Sequence, residues 1–508
     1  MAEQVSAKPN GHRKILLLTN IEHGESNVFL ATFPALFELD PDVEVHFATY
    51  GGFEPFVDAV WEQPIVFHEI KGIPALRAVH ECMQRQNVSH TENLLPKSFT
   101  MPPGLVNTSK AIDDTRRIFV PYTGPQMTEI FSSIVDIIKT VNADLVVVNG
   151  LLTPGLTALY HLGVRFACLS PNSIKDCSAP LQPHAAVLWK YPALFSAFSY
   201  PVPWHLIPLN IYFCIYGAIT FARDKERRAV MKYLQAETGA QLRTPIDLLR
   251  NRPPSLKILV GTLPELDFPV IVPDHVLPCG PIIRQAPPLS ESDPALQTWL
   301  AKGPTIYINL GSMCRLLEDD AVELASAVQV VMKKVNEQPG TSPLQVLWKL
   351  KKAGEYSASE AGSKLHNVLG KEMEADLVRI SDWIQAEPIS ILRSGHVVCS
   401  IHHGGANSFS EAIRQVVLPQ WTDCYDYAQR VEMLGVGRWG SRDTKPKWTS
   451  QGLARKLSDV LQGETSEAMK KRAVELAGVC KEKGNGAVHA AKIILAECHE
   501  NWVKAEGK

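Results

Sequence analysis

The sequence predicts an α/β protein of two similar domains, each a parallel sheet with crossover helices, facing one another across a cleft. Three observations carry that expectation. Short apolar or β-branched runs alternate with helical segments, a proline-rich break falls beyond the middle of the chain, and a second alternating series starts directly after it. At 508 residues the chain can bury two substantial cores.

The first series opens at residues 14–19, KILLLT, an unbroken apolar run of the kind buried on both faces of a parallel sheet. Residues 26–39 have helical composition, and 43–50 read as a second strand. Further strands are expected at 145–149, 166–170 and 258–263. Between 191 and 221 the only ionisable candidate is His205, and the run is long enough to cross a bilayer. Pro192, Pro201, Pro203 and Pro208 argue against a spanning helix, because each removes a backbone donor. The segment therefore reads as an aromatic, proline-stiffened lid or loop, with a packed core connection as the alternative. The basic residues Arg223, Lys225, Arg227 and Arg228 that follow keep peripheral membrane contact as a third reading.

Residues 279–303, with Pro281, Pro287, Pro288 and Pro294 among serines and aspartates, read as a linker. The second series places strands at 305–310, 346–350, 377–380, 397–401 and 416–418, and the polar stretch 355–374 reads as a surface insertion. The expected organisation is thus two Rossmann-like domains, 13–278 and 304–486, joined by 279–303 and closed by a last helix within 487–508.

A net charge of −2 gives no electrostatic case for nucleic acid. Ten cysteines without a CxxC pair fit reduced thiols better than disulfides or zinc. The first fourteen residues lack an apolar core, so no signal peptide is expected and a cytoplasmic protein is. The glycosylation sequons at Asn87 and Asn107 are then silent.

Residues 382–437 carry the chemistry. An apolar run ends in His402-His403-Gly404-Gly405 and passes into Asn407-Ser408-Phe409-Ser410-Glu411, which reads as strand, tight turn and helix start. Glycines admit close backbone approach, and the unpaired N–H groups of a first helical turn suit a phosphate. His403, Asn407 and Ser408 would add donors, and Glu411 could accept from two ribose hydroxyls. Upstream, Trp383 follows a strand and could stack on a base. Downstream, Pro419-Gln420-Trp421-Thr422-Asp423 puts a carboxylate at another strand end, where parallel sheets bind ligands. Gly311-Ser312, after the first strand of the second series, is a further phosphate contact by the same reasoning.

This ordered stretch resembles the donor signature of the family 1 UDP-sugar-dependent glycosyltransferases, in particular their fungal members. The resemblance implies a GT-B frame with the active site between the domains. It implies uracil on Trp383, diphosphate on His403, Gly405, Asn407 and Ser408, ribose on Glu411, and sugar hydroxyls on Asp423 and Cys424, with Gly311 and Ser312 lining the cleft. It also implies an inverting hexosyl transfer, with UDP-glucose the expected donor as co-substrate, no cofactor and no metal. The expected acceptor is a small lipophilic molecule, a fungal secondary metabolite first and a sterol second. The aromatics around Trp189, Phe195, Tyr200 and Trp204 would form its pocket.

The chain departs from that family in three places. Where the family has Gly-His after the first strand, this sequence reads Asn20-Ile21-Glu22-His23-Gly24-Glu25, so His23 or Glu25 must serve as base; imidazole titrates near neutrality, which favours His23. The Asp that should orient the base is Asn149, with Asp144, Asp113 or Asp114 as substitutes. Cys424 replaces a glutamine, and the span from Glu411 to Pro419 is about four residues short, without a C-cap glycine. The helix through Ser408 should therefore end early, and Asp423 should sit out of register. Two other readings stay open, a UDP-sugar-binding protein without turnover and an NDP-sugar epimerase or hydrolase.

Overall fold

In the computed structural model the described residues are 13–60, 65–91, 95–337, 340, 342–412 and 414–505. The stretch read as lacking a leader, residues 1–12, and the last three residues of 487–508 lie outside them.

The first domain is built on β1 (Lys14–Leu18), β2 (Glu44–Tyr50), β3 (Val66–Ile70), β4 (Leu145–Val148), β5 (Phe166–Ser170), β6 (Ile258–Val260) and β7 (Val276–Pro278). All seven are parallel, in the order β3-β2-β1-β4-β5-β6-β7. Alternate residues feed two cores. Leu16, Leu18, Val146 and Val148 face one, and Ile15, Leu17, Phe47 and Val147 face the other. The chain turns opposite ways from β1 and β4, so their C-terminal ends leave a crevice.

The second domain repeats the scheme with β8 (Thr305–Asn309), β9 (Gln345–Lys349), β10 (Val378–Ser381), β11 (Val397–His402), β12 (Gln415–Val417) and β13 (Gly437–Trp439). Their order is β10-β9-β8-β11-β12-β13, again all parallel, with the crevice between β8 and β11. These two parallel α/β sheets are the GT-B arrangement. Strands β3, β7 and β13 go beyond the sequence expectation, being edge strands or three residues long.

Three sequence readings need correction. The expected linker 279–303 contains the helices Leu289–Ser292 and Pro294–Leu300, and Trp299 and Leu300 are buried against the second sheet. The expected insertion 355–374 ends in the helix Lys364–Glu374, which buries Leu365 and Leu369 completely. In the aromatic segment, residues 207–222 form the helix Ile207–Ala222, because Pro208 falls in the first turn, where a missing N–H costs nothing.

The irregular part of that segment is a domain contact. Second-domain side chains grip its carbonyls, Gln429 Nε2 donating to Phe198 O (2.6 Å) and Lys445 Nζ to Ala197 O (3.2 Å). The closing helix Gly486–Ala505 returns to the first domain, where Ala490, Ala491 and Ile494 pack with Phe29 and Phe33 of the helix His23–Leu39.

Buried charges pin the domains together. Lys175 Nζ lies 2.6 Å from Asp426 Oδ2, and Arg430 lies 3.3 Å from Asp267, whose other oxygen accepts the Ile174 N–H. The Arg430 guanidinium also covers the Tyr427 ring at 3.8 Å. Removing one member of such a pair strands the other without solvent. Lys175→Met is expected to lower the unfolding free energy by about 3 kcal/mol, read from the denaturant midpoint. Adding Asp426→Leu should recover much of that loss; a midpoint unmoved by Lys175→Met would contradict the clamp.

Candidate active site

The crevice of the second domain is shaped by two glycines closing on one imidazole. After β8, the Asn309 side chain accepts the Gly311 N–H (3.1 Å) and Gly311 takes φ +85°. A Cβ there would stand 2.6 Å from His403 Cε1, and one on Gly405 would stand 2.8 Å from His403 Nε2. His403 is therefore pinched between the two loops, and its Nδ1 is buried without a protein partner. Burial pushes its pKa down to about 3, so it is a neutral donor and acceptor. His402 has the structural role: its Nε2 meets Gln415 Oε1 (2.8 Å) and its Nδ1 accepts the Gly404 N–H (3.1 Å).

The helix that follows, Ala406–Glu411, has only six residues. Its C-terminal carbonyls find an unusual partner, because the Gln415 amide donates to Phe409 O (3.0 Å) and Ala412 O (3.2 Å). A side chain from β12 thus does for these carbonyls what a C-cap glycine does elsewhere. Asn407 Nδ2 reaches across the cleft to His23 O (3.4 Å), while Ser408 stays half-exposed beside it. Burial, and Glu387 nearby, push Glu411 up to about 7.

Asp423 stands just before the helix Cys424–Leu434, bonded to Thr422 Oγ1 (2.7 Å), and burial pushes it up to about 6. Asp176 of the first domain is one of its closest charges, so it lies at the domain junction. Cys424 needs correction as a sugar contact. Its thiol is sealed in the core, at 1% exposure, with Cys314 nearby and its carbonyl against Gly404.

Residues the sequence reading passed over surround Trp383. That indole is exposed and carries Lys349 Nζ at 4.2 Å and Lys351 Nζ at 5.7 Å from its ring centre. Lys351 also donates to Ser312 O (2.8 Å), linking the Trp383 side of the cleft to the Gly311 loop. Arg284 pairs with Glu387 at the same mouth. The signal was present in Lys349, Lys351 and Lys352 at a strand end, where cations line a ligand crevice.

In the first domain the two base candidates separate. The His23 imidazole lies edge-on to Phe56 (4.9 Å) and beside Phe53 (6.1 Å), and burial lowers its pKa. Glu25 turns instead to the ends of β1 and β4. It accepts from Asn20 Nδ2 (2.7 Å), and the otherwise unpartnered Asn149 Nδ2 faces it. Asn149 is held by its Oδ1, which accepts the Leu151 N–H (2.7 Å). Burial first, then the neighbouring Glu22 carboxylate, push Glu25 up to about 8. Glu22 is fixed through the Leu76 N–H (3.1 Å). None of the substitute aspartates reaches this place. Asp144 accepts the Lys14 N–H at the far end of the sheet, Asp113 pairs with Arg116, and Asp114 bonds Ser98 and Arg117.

The expected aromatic pocket does not assemble, since Trp189 and Trp204 face outward while Phe195 and Tyr200 are packed against Phe99 and Phe268. An apolar cluster does lie between the two half-sites. Leu76, next to Glu22, belongs with Leu95, Phe99, Phe195 and Met313 to one group that includes Trp421, whose ring lies 5.7 Å from His403.

No family model matches the chain. It is 29% identical to the glycosyltransferase sdnJ of Sordaria araneosa, over 95% of this chain and 98% of that protein. It is 24% identical to the UDP-glycosyltransferase stmC of Aspergillus ustus over 50% of this chain and 46% of that one. Among solved structures it is similar to Phytolacca americana UGT2 complexed with UDP-2fluoro-glucose and pterostilbene, with TM-score 0.59 and 13% identity. That likeness covers 96% of this chain and 100% of the other.

The pinch on His403 can be tested by pairing two positive-φ glycines. Gly311→Ala meets His403, whereas Gly354→Ala meets nothing within 4 Å. Backbone strain alone costs about 1 kcal/mol in each, and the contact should add about 2 kcal/mol at Gly311. Equal losses in thermal or denaturant unfolding would contradict the packing described.

Proposed function

We propose that the chain is a family 1 UDP-dependent glycosyltransferase, taking a UDP-sugar as donor and a small molecule as acceptor, and that it moves glucose, with inversion, to a hydroxyl of a lipophilic fungal metabolite, using Glu25 as base. Its likeness to the glycosyltransferase sdnJ along nearly the whole chain supports the family. The observation that carries the proposal is the Glu25 carboxylate, half-buried beyond the end of β1 and held by Asn20, on the first-domain side of a cleft that Asn407 crosses to the carbonyl of His23.

On this reading the acceptor hydroxyl gives its proton to Glu25 while its oxygen bonds to the anomeric carbon, and the bond from that carbon to the diphosphate breaks on the opposite side. Charge grows on the leaving diphosphate. The neutral His403 ring, the first N–H groups of Ala406–Glu411 and the Lys351 ammonium would receive it. Trp383 with Lys349 would hold the base, Glu411 the ribose, and Asp423 the sugar. The partly buried Leu76, Met313 and Trp421 of the apolar cluster support a lipophilic acceptor, because they put apolar side chains between the first-domain and second-domain half-sites. Glucose rests on the donor signature, and a secondary metabolite on the fungal relatives.

Glu25 and Asn149 fit each other as base and partner. A carboxylate base is supported by an amide N–H, which donates to the anion, whereas an aspartate at 149 would repel it.

Purified enzyme with UDP-glucose and a panel of phenolic and terpenoid alcohols should form glucosides. Glu25→Gln is expected to lower kcat by at least about 100-fold with UDP affinity unchanged, and His23→Phe to change it only a few-fold. Loss of turnover in His23→Phe alone would sink the assignment. The anion is the working form, and burial holds the Glu25 pKa near 8. The rate should therefore climb with pH from 6 to about 8, and a flat profile over that range would exclude Glu25 as the base.

A further inference from the structure

Residues 204–238 form a largely helical run of 35 residues, apolar enough to cross a membrane, yet only 11% of its apolar window is buried in the protein. Its first long helix, Ile207–Ala222, lies beside the helix Leu105–Phe119 in parallel. Ser109 Oγ meets Tyr212 OH (3.3 Å), Gly217 faces Ile112, and Arg116 Nη1 reaches Asp224 (3.0 Å). One face is thereby used up. Asn210 donates to Leu188 O and Tyr191 O, and Phe213 is 1% exposed.

The other face is bare. Pro208, Ile215 and Ile219 recur at helical spacing along it, bordered by the exposed ring of Tyr212, whose hydroxyl is already on Ser109, with Trp204 at its head, 83% exposed, and Val106 at the start of the companion helix, 75% exposed. Cations follow at once: Arg223, Lys225, Arg228 and Lys232 are all exposed, with Glu226 the only exposed acid among residues 223–232. Asp224 is already engaged by Arg116.

We propose that this face is a docking surface for an anionic lipid bilayer, along which the enzyme lies rather than spans. Three features select that occupant. Sixteen helical residues extend about 24 Å, short of the roughly 30 Å hydrocarbon core, and the inner face is committed to protein. A tryptophan and tyrosine beside bare isoleucines, rimmed by arginine and lysine, match the acyl boundary and headgroup layers in turn. Four exposed cations over residues 223–232, against the one exposed acid Glu226, complement an anionic surface.

Flotation of the full chain with neutral phosphatidylcholine vesicles and with vesicles containing phosphatidylserine tests the proposal. The protein should float with the anionic vesicles. Trp204→Ser/Ile215→Ser/Ile219→Ser should weaken that partition by about tenfold or more, and Arg223→Glu/Arg228→Glu should abolish the preference for the anionic lipid. UDP titration reports whether each variant is folded. Should the triple variant not fold, Trp204→Phe replaces it: brominated lipid should quench fluorescence in the parent that this variant lacks. Absence of flotation by the parent overturns the proposal, as does equal flotation of all folded variants. A parent dimer in light scattering that the triple variant lacks also overturns it, in favour of self-association.

Discussion

Two cations withheld from water, Lys175 and Arg430, set the relation between the domains, and the rest of the molecule follows from it. Each would be too costly to bury alone, so each is paired with a carboxylate from the opposite domain. Asp426 and Arg430 sit on the helix that begins right after Asp423, and Asp267 also holds the N–H of Ile174. The clamp thus acts on the floor of the cleft. It brings Asn407 to the carbonyl of His23 and leaves Glu25 on the opposite wall from His403.

The sequence exposed the frame because buried parallel strands must be continuous apolar runs, and the central strands of both sheets are. It hid β3, β7 and β13, where three to five residues at or near a sheet edge carry too little pattern. It misjudged 207–222 because a proline count does not say where in a helix a proline falls; Pro208 opens the helix instead of breaking it. The donor loop could be read since its glycines and polar residues lie in one run. Lys349 and Lys351 gave a signal, cations at one strand end, but their partner Trp383 lies at the end of the next strand and only the fold brings the two together; Arg284 gave none, because its partner Glu387 is about a hundred residues away.

The choice between His23 and Glu25 shows the limit of reasoning from intrinsic acidity. Imidazole is the better base in water, but the His23 ring packs beside Phe53 and Phe56 while Glu25 turns to the ends of β1 and β4, which is why the proposal favours the carboxylate. Burial then moves Glu25 into the range where a carboxylate can take a proton at neutral pH. Asn149 looks like a lost aspartate only while the base is assumed to be a histidine. With Glu25 proposed as the base, the Asn149 amide is the electrostatically sensible neighbour, and on that proposal the two departures from the family resemblance are one change in the sign of a dyad.

The helix Gly486–Ala505 has a further consequence for how the molecule comes into being. Its alanines and Ile494 complete the packing around Phe29 and Phe33, on the same helix that carries Glu25. A ribosome delivers those early phenylalanines more than four hundred residues before the surface that covers them. The packing around the helix His23–Leu39 is therefore completed only after the second half of the chain has been made. Synthesis runs in one direction, and the last helix is what lets the first domain finish.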